Sequence, residues 1–141
     1  MSDDQTAGRT IGETNLAVLL RGMRPVLREG VYVFVTLPPG SDRLRIEPLM
    51  SFREIEGLTM ILTEAEALAF DLEPVFRSRL ITLDVHSSLD AVGFLAVITS
   101  HLAAAGMGVN PVSAFYHDHL FVPVDRADEA IEILEALAAK A

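Results

Sequence analysis

Apolar and polar positions along this chain switch between a period of two and a period near three and a half, and the switches mark the elements. The run Leu80 to Val85 is apolar and β-branched and predicts a strand. Ser87 with Asp90 three positions on has the spacing of a capping box and predicts a helix running to about Ala105, where Gly106 can take the left-handed C-cap. Val109 to Tyr116 predicts a second strand, His117 and Asp118 a turn, and Leu120 to Val124 a third strand. Asp125 opens a final helix with the stripe Ala127, Ala130, Ile131, Leu134 and Ala138. The order βαββα is a split βαβ arrangement lacking at most its last strand.

An earlier segment repeats this pattern. With one gap at Gly57, Pro48, Phe52, Leu58 and Ala65 fall on Pro111, Phe115, Leu120 and Ala127, so the chain reads as a duplication of a unit of about sixty residues. In the first copy the strands are Tyr32 to Leu37, Glu47 to Glu54 and Leu58 to Thr63, followed by a short helix from Glu64 to Phe70. Pro38 to Ile46 is too short for a crossover helix, since a parallel crossover needs about a dozen residues or more. The leading segment Asn15 to Arg28, with Leu16, Leu19, Leu20 and Met23 at helical spacing, is expected to cover that sheet face instead. The fold class is α+β: tandem ferredoxin-like βαββαβ repeats, the first degenerate or permuted. The expected division is a flexible leader over 1–13, a first repeat over 14–76 and a second over 77–141, with Glu73 to Ser78 as the joint.

The crossover helix of the second copy is apolar nearly all round. Val92, Leu95, Ala96, Thr99, Leu102 and Ala103 make one face, and Phe94, Val97, Ile98 and His101 much of the other. One stripe suffices to cover a sheet, so the second predicts packing on the other repeat or on another subunit, favouring a homodimer.

At 141 residues the chain can bury a core without staples, and with no cysteine it forms no disulfide, thiolate metal site or thiol nucleophile. The net charge of -9, with no cluster of Lys or Arg reversing it locally, argues against nucleic acid or an anionic membrane as partner. Ala91 to Tyr116 lacks any Asp, Glu, Lys or Arg, but Gly106, Gly108, Asn110 and Pro111 break it and no cations flank it, so it is not read as a membrane span. The polar start, Met1 to Thr14, has no signal-peptide pattern, and the expected location is the cytoplasm.

The segments His86-Ser87-Ser88-Leu89-Asp90-Ala91-Val92-Gly93, Ala105-Gly106-Met107-Gly108-Val109-Asn110 and Tyr116-His117-Asp118-His119, within this element order, are similar to the ACT domain. The middle one resembles the entry to the second strand in ACT modules of aspartate kinases, and the outer two resemble stand-alone bacterial proteins with two ACT-like repeats. That resemblance implies a regulatory or sensor module that binds an amino acid or similar metabolite at an interface between paired units. The first repeat departs from the pattern by lacking the helix and its glycine-bearing loop, so it is expected to give a wall of a site rather than a full one. No catalytic domain accompanies it, so the resemblance implies either a separate regulated enzyme as partner or one that has been lost.

The candidate ligand-binding residues are Ser87, Ser88, Leu89, Asp90, Ala91, Val92, Gly93 and Asn110. Free N–H groups at a helix start suit a carboxylate, a glycine lets backbone approach closely, Asp90 can accept an ammonium, and Asn110 offers both donor and acceptor. The plain alternative is capping by Ser87 and Asp90 and turn chemistry at Asn110. His117, Asp118 and His119, with His86, have the composition of a metal site, but a hairpin tip spreads them to different sides and no metal or other cofactor is expected. Ser87, His86 and Asp84 do not make a triad, because neighbouring strand residues point to opposite faces. Pro38-Pro39-Gly40 is a turn rather than a phosphate loop. The expected function is non-enzymatic binding of an amino acid; the alternatives are a protein-binding adaptor without a metabolite, and a metal protein built on His117 to His119.

Overall fold

In the computed structural model, which describes residues 12–41 and 46–141, the chain runs α1 (Leu16–Gly22), β1 (Arg24–Leu27), β2 (Tyr32–Leu37), β3 (Met50–Arg53), β4 (Leu58–Thr63), α2 (Glu64–Ala69), β5 (Val75–Asp84), α3 (Phe94–Ala104), β6 (Asn110–Ser113), β7 (Asp118–Pro123), a 3-10 turn (Val124–Arg126) and α4 (Ala127–Lys140). Of the expected leader, residues 1–11 lie outside the described range, as do residues 42–45 of the segment after β2. All strands join one 7-stranded antiparallel sheet in the order β3-β4-β2-β5-β7-β6, with β1 also on β5.

Two ferredoxin-like units share this sheet, and each borrows a strand. The second unit is β5, α3, β6, β7 and α4, and its fourth strand is the N-terminal β1, paired Arg24↔Asp84 to Leu27↔Ile81. The first unit is β2, β3, β4 and α2, and its fourth strand is the start of β5, paired at Tyr32↔Ser78 and Phe34↔Val75. The expected joint is therefore half strand: β5 begins at Val75 and runs unbroken through Ser78 into the second unit. One extra residue is absorbed between the two β2 pairings, where Phe76 takes φ 54° and its ring meets Phe34 edge-on at 5.9 Å.

The leading segment was expected to be one helix over the first sheet, and it is neither. Only Leu16–Gly22 is helical, capped by Asn15 Oδ1 accepting from the Val18 N–H, and it lies on α4 and α3 of the second unit, with Leu19 and Met23 in that unit's core. Pro25, which lacks a ladder donor, fits the edge strand that follows. The first unit's core is small: Val33, Val35, Leu37, Met60 and Leu62, closed by Ala67 of α2 and by Ile46. The second core is larger, with Ile81, Leu83, Leu120 and Val122 under Phe94, Ile98 and Leu102 of α3 and Ala127, Ala130 and Leu134 of α4. The buried stripe of α3 thus crosses the two faces the sequence suggested, and Ala96 and Ala103 are exposed. Arg126 ties the helix layer together, donating to the carbonyls of Ala105 and Gly106 beyond α3 while pairing with Glu129.

The hairpins also correct the register of the duplication. Met50–Arg53 coincides with Asn110–Ser113 and Leu58–Thr63 with Asp118–Pro123 without a gap, so Met60, Ile61 and Leu62 match Leu120, Phe121 and Val122. The second hairpin turn is at Ala114 to His117, closed by the Ala114 N–H to the His117 carbonyl, and Asp118 and His119 belong to β7. Alternation alone leaves a strand free to slide by two residues.

Two substitutions follow from this packing. Leu134→Ala, at a fully buried site, should cost about 2–5 kcal/mol in chemical denaturation. Gly57→Ala, whose Cβ would collide with the Leu37 carbonyl and lie 2.8 Å from Thr36 Oγ1, should cost about 1–3 kcal/mol.

Candidate ligand-binding site

After β5 the chain does not enter a helix at once. Ser88 Oγ accepts from the Asp90 N–H at 3.1 Å and the Ser88 carbonyl from the Ala91 N–H at 3.0 Å, so these serine contacts build a turn, and α3 starts only at Phe94. Its N-cap is Gly93 in the left-handed region (φ 89°), with no side chain on the first-turn donors. The expected Ser87–Asp90 capping box is absent for that reason. The loop is clamped from the N-terminal side: the Glu13 N–H donates to the His86 carbonyl at 2.7 Å, and the Ser88 N–H donates to the Glu13 carbonyl at 3.0 Å. A Cβ on Gly12 (φ 92°) would lie 2.7 Å from Ser88 N, so only glycine fits that approach.

Between this loop, the first turn of α3 and the end of the β6–β7 hairpin lies a crevice of about 70 Å³. Ser87, Ser88, Leu89 and Ala91 border it, opposite Ser113 and Asp118. Asp118 is buried, and Ser113 Oγ donates to its Oδ1 at 2.5 Å. Asp90 and Val92 are exposed and do not line the crevice itself, and Gly93 caps the helix. Asn110 is exposed at the opposite end of β6, paired with Phe121, and is not brought to the crevice. Sequence reasoning passes over Gly12, Glu13 and Ser113, and names Asp118 only as a turn residue and as part of a candidate metal group. Only the registered hairpin, with Ser113 opposite Asp118, brings the last two to the loop.

The other histidine-bearing face is organised differently. Arg28 Nε donates to Thr82 Oγ1 at 3.1 Å, and the same hydroxyl shares a hydrogen bond with His119 Nδ1 at 3.0 Å. Burial, then the His117 and Arg28 charges, lower the His119 pKa below its ordinary 6.5, against the pull of Asp118. His117 and His119 ring centroids are 6.3 Å apart, and among the described residues no three His, Cys, Asp or Glu side chains converge as metal ligands. No helix among them is long and apolar enough to cross a membrane.

The His119 shift sets a pH dependence. Because the folded state favours the neutral ring, its stabilising contribution is complete above the ordinary value of 6.5 and is lost as pH falls below it. Denaturation midpoints should therefore fall between about pH 7.5 and 5.5, and His119→Gln should show a shallower fall over that interval.

Comparison with known proteins completes the picture. Residues 11–79 and 75–136 each match the ACT domain, and the overlap falls on the start of β5, the strand both units use. A Vibrio cholerae protein of unknown function, described as a possible transport protein, is 42% identical, with a TM-score of 0.78 over 87% of this chain and 95% of its own. A protein from Agrobacterium tumefaciens shares the fold at 16% identity, with a TM-score of 0.70 over 82% of this chain and 89% of its own. So does the regulatory subunit of aspartate kinase from Thermus thermophilus, in its ligand-free form, at 9% identity and a TM-score of 0.60 over 84% of this chain and 97% of its own. No curated protein sequence matches the chain. With both halves of the sheet matched and the strand exchange joining them, the chain belongs to the ACT-domain family.

Proposed function

We propose that this chain is a non-enzymatic regulatory module that binds an amino acid at the crevice between the Ser87–Ala91 loop and the Ser113–Asp118 end of the hairpin. The observation that carries this reading is the pairing of opposite poles around one small space. On one side are the uncapped N–H groups of the first turn of α3, on the other the buried Asp118 carboxylate. A zwitterion presents the matching charges, a carboxylate for the helix start and an ammonium for Asp118. The ammonium pole is thereby assigned to Asp118, which lines the crevice, rather than to Asp90, which is exposed and does not.

A space of about 70 Å³ takes the head group alone. The ligand's side chain projects toward the rim, where Leu89 and Val92 of the loop and Phe115 and Tyr116 of the hairpin tip are exposed, Val92 at 83%. A second copy of the chain covering these residues closes the site, which gives the homodimer its role. A ligand held between subunits changes their relative affinity, and a regulated enzyme responds to that change.

A thermal-shift panel of the twenty amino acids at millimolar concentration tests this. A ligand at about one hundred times its dissociation constant adds about 2.7 kcal/mol, a rise of several degrees for a chain of this size. One amino acid should give that rise and Asp118→Asn should abolish it while the unliganded protein still melts cooperatively. A flat panel would shift the reading of the same apolar rim to a protein-binding adaptor, and a rise untouched by Asp118→Asn would place the site elsewhere.

A further inference from the structure

The face of the sheet away from the helices carries a second cavity, unrelated to the crevice. Leu80 and Phe121, clustered with buried Ile61, form its floor, with the Phe121 ring held edge-on by Tyr32 at 6.1 Å and by Phe34 at 5.6 Å. The groove measures about 410 Å³, within the range of small-molecule pockets. It straddles the seam between the two units: Tyr32 and Met50 come from the first, Val112 and Phe121 from the second. Its polar end is the chain Arg28–Thr82–His119.

We propose that this groove binds a monocarboxylate with an apolar body and no ammonium group. The charge balance is the first reason. Among the described residues Arg28, like Arg21, Arg53 and Arg79, has no carboxylate within ion-pairing distance, and of these four it is the one that lines the groove. In a chain of net charge -9 this is a single cation at the end of an apolar groove, and a carboxylate meets it with two guanidinium donors at once. The second reason is what the lining lacks: none of the residues around the groove is Asp or Glu, so the ammonium of an amino acid would be desolvated against Met50, Val112 and the aromatic rings without a partner. A phosphate dianion finds too few cations here for its charge. A second copy of the chain is also a poor occupant, because a two-fold contact through this patch sets one concavity against another and leaves a void. A ligand in the groove touches both units across the seam, so it favours one inter-unit geometry over others.

Isothermal titration calorimetry of the full chain with 3-phenylpropionate, L-phenylalanine and 3-phenylpropionamide as probes tests the proposal, the second adding an ammonium and the third removing the charge. 3-Phenylpropionate should bind with a dissociation constant of about 1 mM or below, at least about tenfold tighter than either relative, and should move the His119 ring resonances in NMR spectra. Arg28→Gln should weaken it about tenfold or more, and Val112→Trp, which fills the groove with an apolar side chain from the position paired with His119, should abolish binding even if the arginine variant folds poorly. The proposal fails if none of the probes binds at about 10 mM, if L-phenylalanine binds as well, or if folded Val112→Trp retains full affinity. It fails equally if sedimentation shows a dimer that Val112→Trp dissociates, since the face is then a contact between copies.

Discussion

The junction where β1 gives way to β2 alongside β5 is the contact on which the rest of the molecule depends. The Arg28 N–H donates to the Leu80 carbonyl at 2.8 Å, the Arg79 guanidinium donates to the Arg28 carbonyl at 2.8 Å, and the Ser78 hydroxyl donates to the Tyr32 carbonyl at 2.8 Å. Gly30, at φ 93°, turns the chain between the two strands. Along one edge of β5 the chain first completes the second unit and then begins the first. Neither four-stranded unit exists without residues from the other half of the sequence. The small first core, with only a short helix over it, is thereby attached to a sheet whose other half is well packed.

The same exchange positions both cavities. Running β5 through the middle of the sheet brings His86 to Ser88 out at its end, where Glu13 pairs with the loop and Ser113 and Asp118 face it. On the opposite face it brings Thr82 between Arg28 of the β1–β2 junction and His119 of β7, three residues far apart in sequence. Strand alternation then assigns the hairpin's neighbouring residues Asp118 and His119 to different faces, the first to the crevice and the second to the groove. One hairpin register therefore decides the polar chemistry of two sites.

What was legible in the sequence is what local patterning controls. The strands at Tyr32–Leu37 and Leu58–Thr63 and the stripe of α4 stand where their periods put them, and the duplication and family resemblance led to the right fold. The misses share a cause in long-range pairing. Leu16, Leu19, Leu20 and Met23 have helical spacing, yet the helix stops at Gly22 because Arg24–Leu27 is claimed by β5, where Arg24 pairs with Asp84 and Leu27 with Ile81. Ser87 and Asp90 have capping-box spacing, yet Ser88 uses its hydroxyl in a turn and the helix waits for Gly93. Leu58 falls on Leu120 rather than on Asp118 because alternating apolar residues look alike after a shift of two, and only the pairing with Ser113 marks Asp118 as a strand residue instead of a turn.

If the exchanged strands make the two repeats one cooperative body, native-state amide hydrogen exchange under increasing denaturant shows it most directly. The amides of Val35 and Met60 in the first unit and of Ile81 and Val122 in the second should converge on one opening free energy, and Leu27 should open with them. Exchange of Val35 and Met60 at a distinctly lower free energy, with Ile81 and Val122 still protected, would mean that the units unfold separately and that the shared strand does not bind them into one.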